Sequence, residues 1–315
     1  MDYHRRATVD PRRSLRPRFP VRVQMVPDNP LQILVTNDDG VDSLGLHELA
    51  RSMVEFGQVT VVAPDSEYSG AAASIGSIYE DDREVHEASI DGIDTVWSVS
   101  GPPALCVMYA HLGAFDFQPD LVVSGINPGA NVGRSVYVSG TLGAAITARN
   151  YGIPGVAVSQ AVNSGAVEGQ AWGEIIAGLD WATAAAVAKQ VVEAVLPEAR
   201  VDYSPGTAPV VNINVPDLHL DEIDGWAWTD IAPGPQRTMS TVSLKPKPGH
   251  LGGYDVAFEF GTADEDPDPG TDVAVVSNRV AVSYISTLTA IDPSGMGPTE
   301  SIVKSLDGLF SDNDR

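Results

Sequence analysis

The chain has 315 residues, 43% hydrophobic and 19% charged, enough for a large buried core in one α/β domain or a domain with an appendage. A formal net charge of −23 excludes a nucleic-acid polymer or an anionic membrane as the natural partner surface, and any anionic substrate must be attracted locally. Cys106 is the single cysteine, so no intrachain disulfide forms and a reducing, cytoplasmic setting is the default; no apolar run reaches transmembrane length.

Residues 1–30 carry seven Arg and three Asp, which sets a tail at +4 against a body at −27. Rich in Arg and Pro and without periodicity, it is expected to be a disordered basic tail, and it lacks the apolar core of a secretory signal. The body opens with LQILVTN (31–37), a strand. DDGVDSLGLHELARSMVEFG follows, in which Leu46, Leu49, Ala50, Met53 and Val54 recur at helical spacing and Gly57 stands where a helix stops. VTVVAP (59–64) and DTVWSVSG (94–101) read as further strands, and PALCVMYAHLGAF (103–115) as a helix with proline in its first turn. The alternation continues through a strand at 119–127, a helix at 140–152, a strand at 153–160, an Ala-rich helix at 171–196 and a strand at 209–217.

Short apolar strands separated by helices require crossover connections, which predicts a Rossmann-like α/β core over 31–220, its mostly parallel sheet covered by helices on both faces. Beyond 220, WAWTDIA, TVSLKPK, YDVAFEF and RVAVSYISTLTA are strand-like pieces, with an acidic loop at 261–272 and no helix before a short end piece at 299–310. Residues 221–315 are therefore expected to form a β-rich C-terminal extension, whose exposed strands suit an oligomerisation arm.

In an open α/β sheet, ligands bind in the crevice outside the carboxyl ends of the strands. Asp38 and Asp39 follow the first strand, APDSEYSG (63–70) the second and SGINPGANVG (124–133) a later one, so these clusters should meet on one rim. Two adjacent carboxylates repel unless water screens them or a cation lies between them. Asp38, Asp39, Ser69 and Asn127 offer oxygen alone, a set suited to Mg²⁺, Mn²⁺ or Ca²⁺ rather than zinc or copper. Taken alone, the pair also reads as a solvated Asp-Asp-Gly turn, in which the glycine frees both side chains from strand alternation. At 139–141, SGT starts a helix whose free N–H groups can seat a phosphate, although Ser139 and Thr141 equally suit capping.

Four ordered segments, ILVTNDDGVDSLGLHELA, VVAPDSEYSGAAAS, PDLVVSGINPGANVGRSVYVSGTLGAAITARNYGIPGVAVS and VNINVPD, resemble the survival protein SurE family of metal-dependent 5′/3′-nucleotidases. Weaker traces persist at GTD (270–272) and VAVSYISTLTA (280–290). The resemblance implies one divalent cation, Mg²⁺ or Mn²⁺, held by Asp38, Asp39, Ser69 and Asn127. It implies that Asn131, Ser139, Gly140 and Thr141 line the phosphate side and that Asn37 supports the ligand loop. Asp38, Asp39, Asn131 and Ser139 would be the catalytic set, nucleoside monophosphates the substrates, and a homodimer or homotetramer the assembly.

Two departures stand against it. GPPALCV (101–107) has Pro102 and Leu105 where the family reads threonine and aspartate, and STLTAID (286–292) lacks the Asp and His of DLTAH, leaving Asp292 as a substitute. The second sustains a rival reading, a paralogue that binds metal and nucleotide without turnover, whereas the first bears on substrate choice without touching the metal. A haloacid-dehalogenase-type phosphatase fits less well, because its two aspartates are separated by one residue. His47, His86, His111, His219 and His250 read as structural or exposed, and Cys106 as a small buried residue.

Overall fold

A computed structural model describes residues 29–76, 83–162, 176–234, 237–263, 267–288, 301–302 and 304–305. Two compact units are present, residues 1–285 and 286–315. In chain order the first contains β1 (Leu31–Thr36), α1 (Leu44–Met53), β2 (Gly57–Pro64), β3 (Val85–Glu87), β4 (Thr95–Val99), α2 (Pro103–His111) and β5 (Leu121–Pro128). There follow α3 (Gly140–Asn150), β6 (Gly155–Gln160), α4 (Trp181–Val195), β7 (Val210–Val215), β8 (Trp226–Trp228), β9 (Arg237–Pro246), β10 (Tyr254–Ala263), α5 (Asp272–Val275) and β11 (Val280–Tyr284).

The strands assemble as a nine-stranded sheet in the order β3-β4-β2-β1-β5-β6-β7-β11-β8, with β9 and β10 as a separate antiparallel pair. From β4 to β7 all neighbours run parallel, as the expected Rossmann-like core requires. Their near-continuous burial is what covering both faces dictates: β1, β6 and β7 present almost no exposed position. α1 and α4 pack together, α2 and α3 likewise, and two apolar clusters divide accordingly, one joining α1 and α4 to Ile33 and Ile213, the other α2 and α3 to Leu34 and Val122. The chain leaves β1 outward through β2 and β4, then returns to β5 and proceeds the other way. β1 and β5 therefore flank the point where strand order reverses, where a crevice opens for a ligand.

The break expected at residue 220 does not separate two sheets. β11 pairs antiparallel with β7, Val282 beside Ile213, and β8 joins β11, so both complete the core sheet. Val280, Ala281 and Val282 are buried, which supplies the apolar reason: β7 would otherwise be a bare hydrophobic edge. Among the described strands, only the β9–β10 hairpin remains outside it. The helix expected at 103–115 ends at His111, and a one-turn helix, α5, follows the expected acidic loop, into which β10 extends to Ala263. Residues 1–28, residues 163–175 with the start of the expected long helix, and Asp292 lie outside the described residues; of the end piece, 301–302 and 304–305 are helical. Among the described residues no helix is long and apolar enough to cross a membrane.

Candidate functional site

β1 stops at Thr36, and residues 37–40 turn the chain at the carboxyl edge of the sheet. Gly40 has φ +103°, a conformation glycine adopts without strain, and Asn37 Nδ2 donates to Gly40 O at 3.1 Å across the turn. The aspartates are thereby released from strand alternation. Asp38 is 3% exposed, and Thr141 Oγ1 donates to its Oδ1 at 2.7 Å. Asp39 Oδ2 is buried without a hydrogen-bond partner.

Electrostatics follow from that geometry. Burial raises the Asp38 pKa above the carboxylate range, opposed by the Thr141 hydroxyl and by the backbone amides of Thr141 and Gly140. Asp39 is pushed up to about 8, first by burial, then by the neighbouring charges of Asp38 and Glu67. Two adjacent carboxylates, both disfavoured as anions by burial, are the mark of a place built for positive charge.

The second strand's loop arrives beside the first: Tyr68 N donates to Asp38 O at 2.7 Å, which brings the adjacent Ser69 to this rim. Ser69 is exposed and its hydroxyl donates to Glu67 at 2.8 Å. Asn127, the next-to-last residue of β5, is half-buried with Nδ2 donating to Gly129 O at 2.6 Å, so its carbonyl oxygen stays available as a ligand.

Ser139 is the N-cap of α3, its hydroxyl accepting from Leu142 N at 3.0 Å, as the capping alternative holds. Gly140 lies against Asp38: a Cβ there would sit 2.7 Å from that side chain. Asn131 is buried, and its Nδ2 donates to Ser159 Oγ at 2.9 Å and Thr141 Oγ1 at 3.3 Å. It therefore supports Thr141, which in turn holds Asp38.

Sequence reasoning did not assign Ser159, Asn212, Asn214 or Asp272, all buried around this loop. The signal available was polar residues inside strands too apolar to face water: Asn212 and Asn214 interrupt VVNINV. The five histidines among the described residues have partners elsewhere. His47 bonds Val41 O, His86 Glu84, His219 Asp180 and His250 Pro248 O, and His111 stacks on Tyr151. Leu105 and Cys106 are wholly buried in one apolar cluster, and burial pushes the Cys106 thiol far above its usual range.

A cation fits this donor set. Among the described residues no three His, Cys, Asp or Glu side chains gather as a metal cluster, but a buried and a half-buried carboxylate with a free amide carbonyl and a hydroxyl are a hard-oxygen set that needs no third acid.

The family model described as Survival protein SurE matches residues 33–237. The chain is 40% identical over 283 residues to the 5′-nucleotidase SurE of Methanopyrus kandleri, covering 88% of this chain and 98% of that protein. It is 35% identical over 260 residues to the 5′-nucleotidase SurE of Stenotrophomonas maltophilia strain K279a, covering 81% and 89%. The crystal structure of SurE from Aquifex aeolicus superposes with a TM-score of 0.63 at 26% identity, covering 88% of this chain and 99% of that one.

Proposed function

The chain belongs to the survival protein SurE family of phosphoric monoester hydrolases, and we propose that it releases phosphate from nucleoside 5′- and 3′-monophosphates with one divalent cation, Mg²⁺ or Mn²⁺. The observation that carries this reading is the Asp38–Asp39 pair at the sheet's switch point, Asp38 buried against the first turn of α3 and Asp39 half-buried with one oxygen unpartnered.

Asp38, Asp39, Asn127 and Ser69 would hold the cation. It would supply positive charge against the carboxylate pair and Lewis acidity toward a phosphoryl oxygen and the attacking water. The chain's own residues do the rest. Thr141 orients the Asp38 carboxylate, and Asn131 orients Thr141. The start of α3 presents the positive end of its dipole toward bound phosphate, with Ser139 fixing the first turn. Without such a local reversal of sign, a body at −27 would repel a nucleotide.

The test is phosphate release from a panel of nucleoside 5′- and 3′-monophosphates in EDTA, Mg²⁺ or Mn²⁺, comparing wild type with Asp38→Ala. The expected result is turnover that requires metal and is lost in the variant. Metal-dependent nucleotide binding with no turnover under any condition would replace it with the paralogue that binds without hydrolysis.

A homo-oligomer is the second part of the proposal. Val242 and Leu244 of β9 and Tyr254 and Val256 of β10 are all more than half exposed, and Leu244 lies opposite Val256, so one face of the hairpin is apolar and open to water. Light scattering at micromolar concentration should give a dimer or tetramer, reduced in size by Leu244→Lys. A wild-type monomer would remove the arm.

A further inference from the structure

Loop 129–139 carries Asn131 and Ser139, and two groups from the C-terminal side grip it. Asn214 Oδ1 accepts from Asn131 N at 2.7 Å while its Nδ2 donates to Asn131 O at 3.2 Å, joined on that oxygen by Asn212 Nδ2 at 3.0 Å. One amide thus closes both main-chain groups of Asn131, as a neighbouring strand would. Two residues on, Gly133 N donates to Asp272 Oδ2 at 2.9 Å. The other Asp272 oxygen accepts from Ala232 N and Val273 N, each at 2.9 Å, and the residue is fully buried. Gly133 has φ +54°, and a Cβ there would lie 2.1 Å from Gly234 O, so the loop backbone is packed directly on the 232–234 segment.

We propose that Asn214 and Asp272 are positioning residues for the hydrolytic site, fixing the 131–133 backbone and, through Asn131 and Thr141, the direction of the Asp38 carboxylate. The inference rests on the hydrolase reading above, and it identifies residues outside the ligand loops on which that site depends. The hydrogen bonds are continuous: Asn214 to Asn131, Asn131 to Thr141, Thr141 to Asp38. Both anchors belong to one edge of the sheet, since α5 bears Asp272 and leads into β11, where Ala281 pairs with Asn214. The C-terminal strands therefore govern a site whose ligands all lie before residue 130. Groups that orient ligands from behind typically change metal affinity or activity by about 10–100-fold when lost.

Asp272→Asn tests this with almost no change of volume. An amide has one acceptor oxygen, so either the Gly133 N–H or the pair from Ala232 and Val273 meets an NH₂ instead. Phosphate release from nucleoside monophosphates with saturating Mn²⁺, and amide hydrogen exchange, are measured on Asp272→Asn and on Asn214→Ala. The expected result is kcat lower by about 10–100-fold with KM changed far less, and faster exchange confined to 129–141 while β1 and β5 stay protected. Wild-type kcat with wild-type exchange in 129–141, in either variant that folds, overturns the proposal. So does a loss of activity that only tracks the unfolded fraction. If wild type releases no phosphate with any metal, the hydrolase reading fails, and the exchange pattern still decides whether these residues hold the loop.

Discussion

In Asp39→Asn, turnover falls at least about 10³-fold while the metal-free protein becomes more stable than wild type. The two effects have one cause. Asp39 is largely buried beside Asp38, with one oxygen unpartnered and Glu67 adding to the field. Its carboxyl has a pKa near 3.8 when exposed and about 8 in the fold. Between those values the folded chain holds a proton that the unfolded chain has released, so stability declines as pH rises across the window and levels off above about 8. At pH 7 the penalty is on the order of a few kcal/mol, which the neutral amide does not carry. Melting curves in EDTA from pH 5 to 9 should separate the two proteins progressively, with the variant higher by several degrees at the alkaline end. A variant that melts below wild type in EDTA at pH 8 would mean that the carboxylate is not frustrated in the empty site. Turnover within tenfold of wild type would remove Asp39 from the metal set.

That trade of stability for charge was legible in advance only in part. The adjacency of Asp38 and Asp39 after an apolar strand, and Gly40 behind them, are local facts, and local facts were enough to place both carboxylates on the rim. The parallel core was legible for a similar reason: strands buried on both faces are apolar throughout, and helices such as α3 announce themselves by a cap like Ser139. What escaped was pairing between distant segments. RVAVSYISTLTA has the composition of any half-exposed strand, and nothing in it says that Val282 lies beside Ile213 in the core sheet rather than in a separate arm. The grip of Asn214 and Asp272 on the 131–133 backbone was hidden for the same reason, since its partners stand 83 and 139 residues apart. An asparagine inside a buried strand signals that a partner exists, without saying which.

Gly140→Ala should disturb the site through the helix that carries it. As the first residue of α3, Gly140 has a backbone that alanine can adopt, and helix propensity favours the change by up to about 1 kcal/mol. The obstacle is the neighbour. A Cβ would stand 2.7 Å from both Cβ and Oδ2 of Asp38 and 3.1 Å from its Cγ, closer than packed atoms allow. Turning the carboxylate relieves the contact with Oδ2 but not the one with Cβ, which the main chain fixes, so the 37–40 turn and the start of α3 must part, at the expense of the 2.7 Å bond from Thr141 and of the packing of Leu142, Ala144 and Ala145. Divalent affinity is then expected to weaken at least about 10-fold and turnover at fixed Mn²⁺ to drop about 100-fold, and the melting temperature in EDTA to fall as well, because the main chain must shift to admit the methyl group. Calorimetric titration with Mn²⁺ reads the first effect directly. Unchanged affinity in a folded Gly140→Ala protein would show that the cation does not depend on where Asp38 points, and the metal-binding role would have to move to Asp39, Asn127 and Ser69.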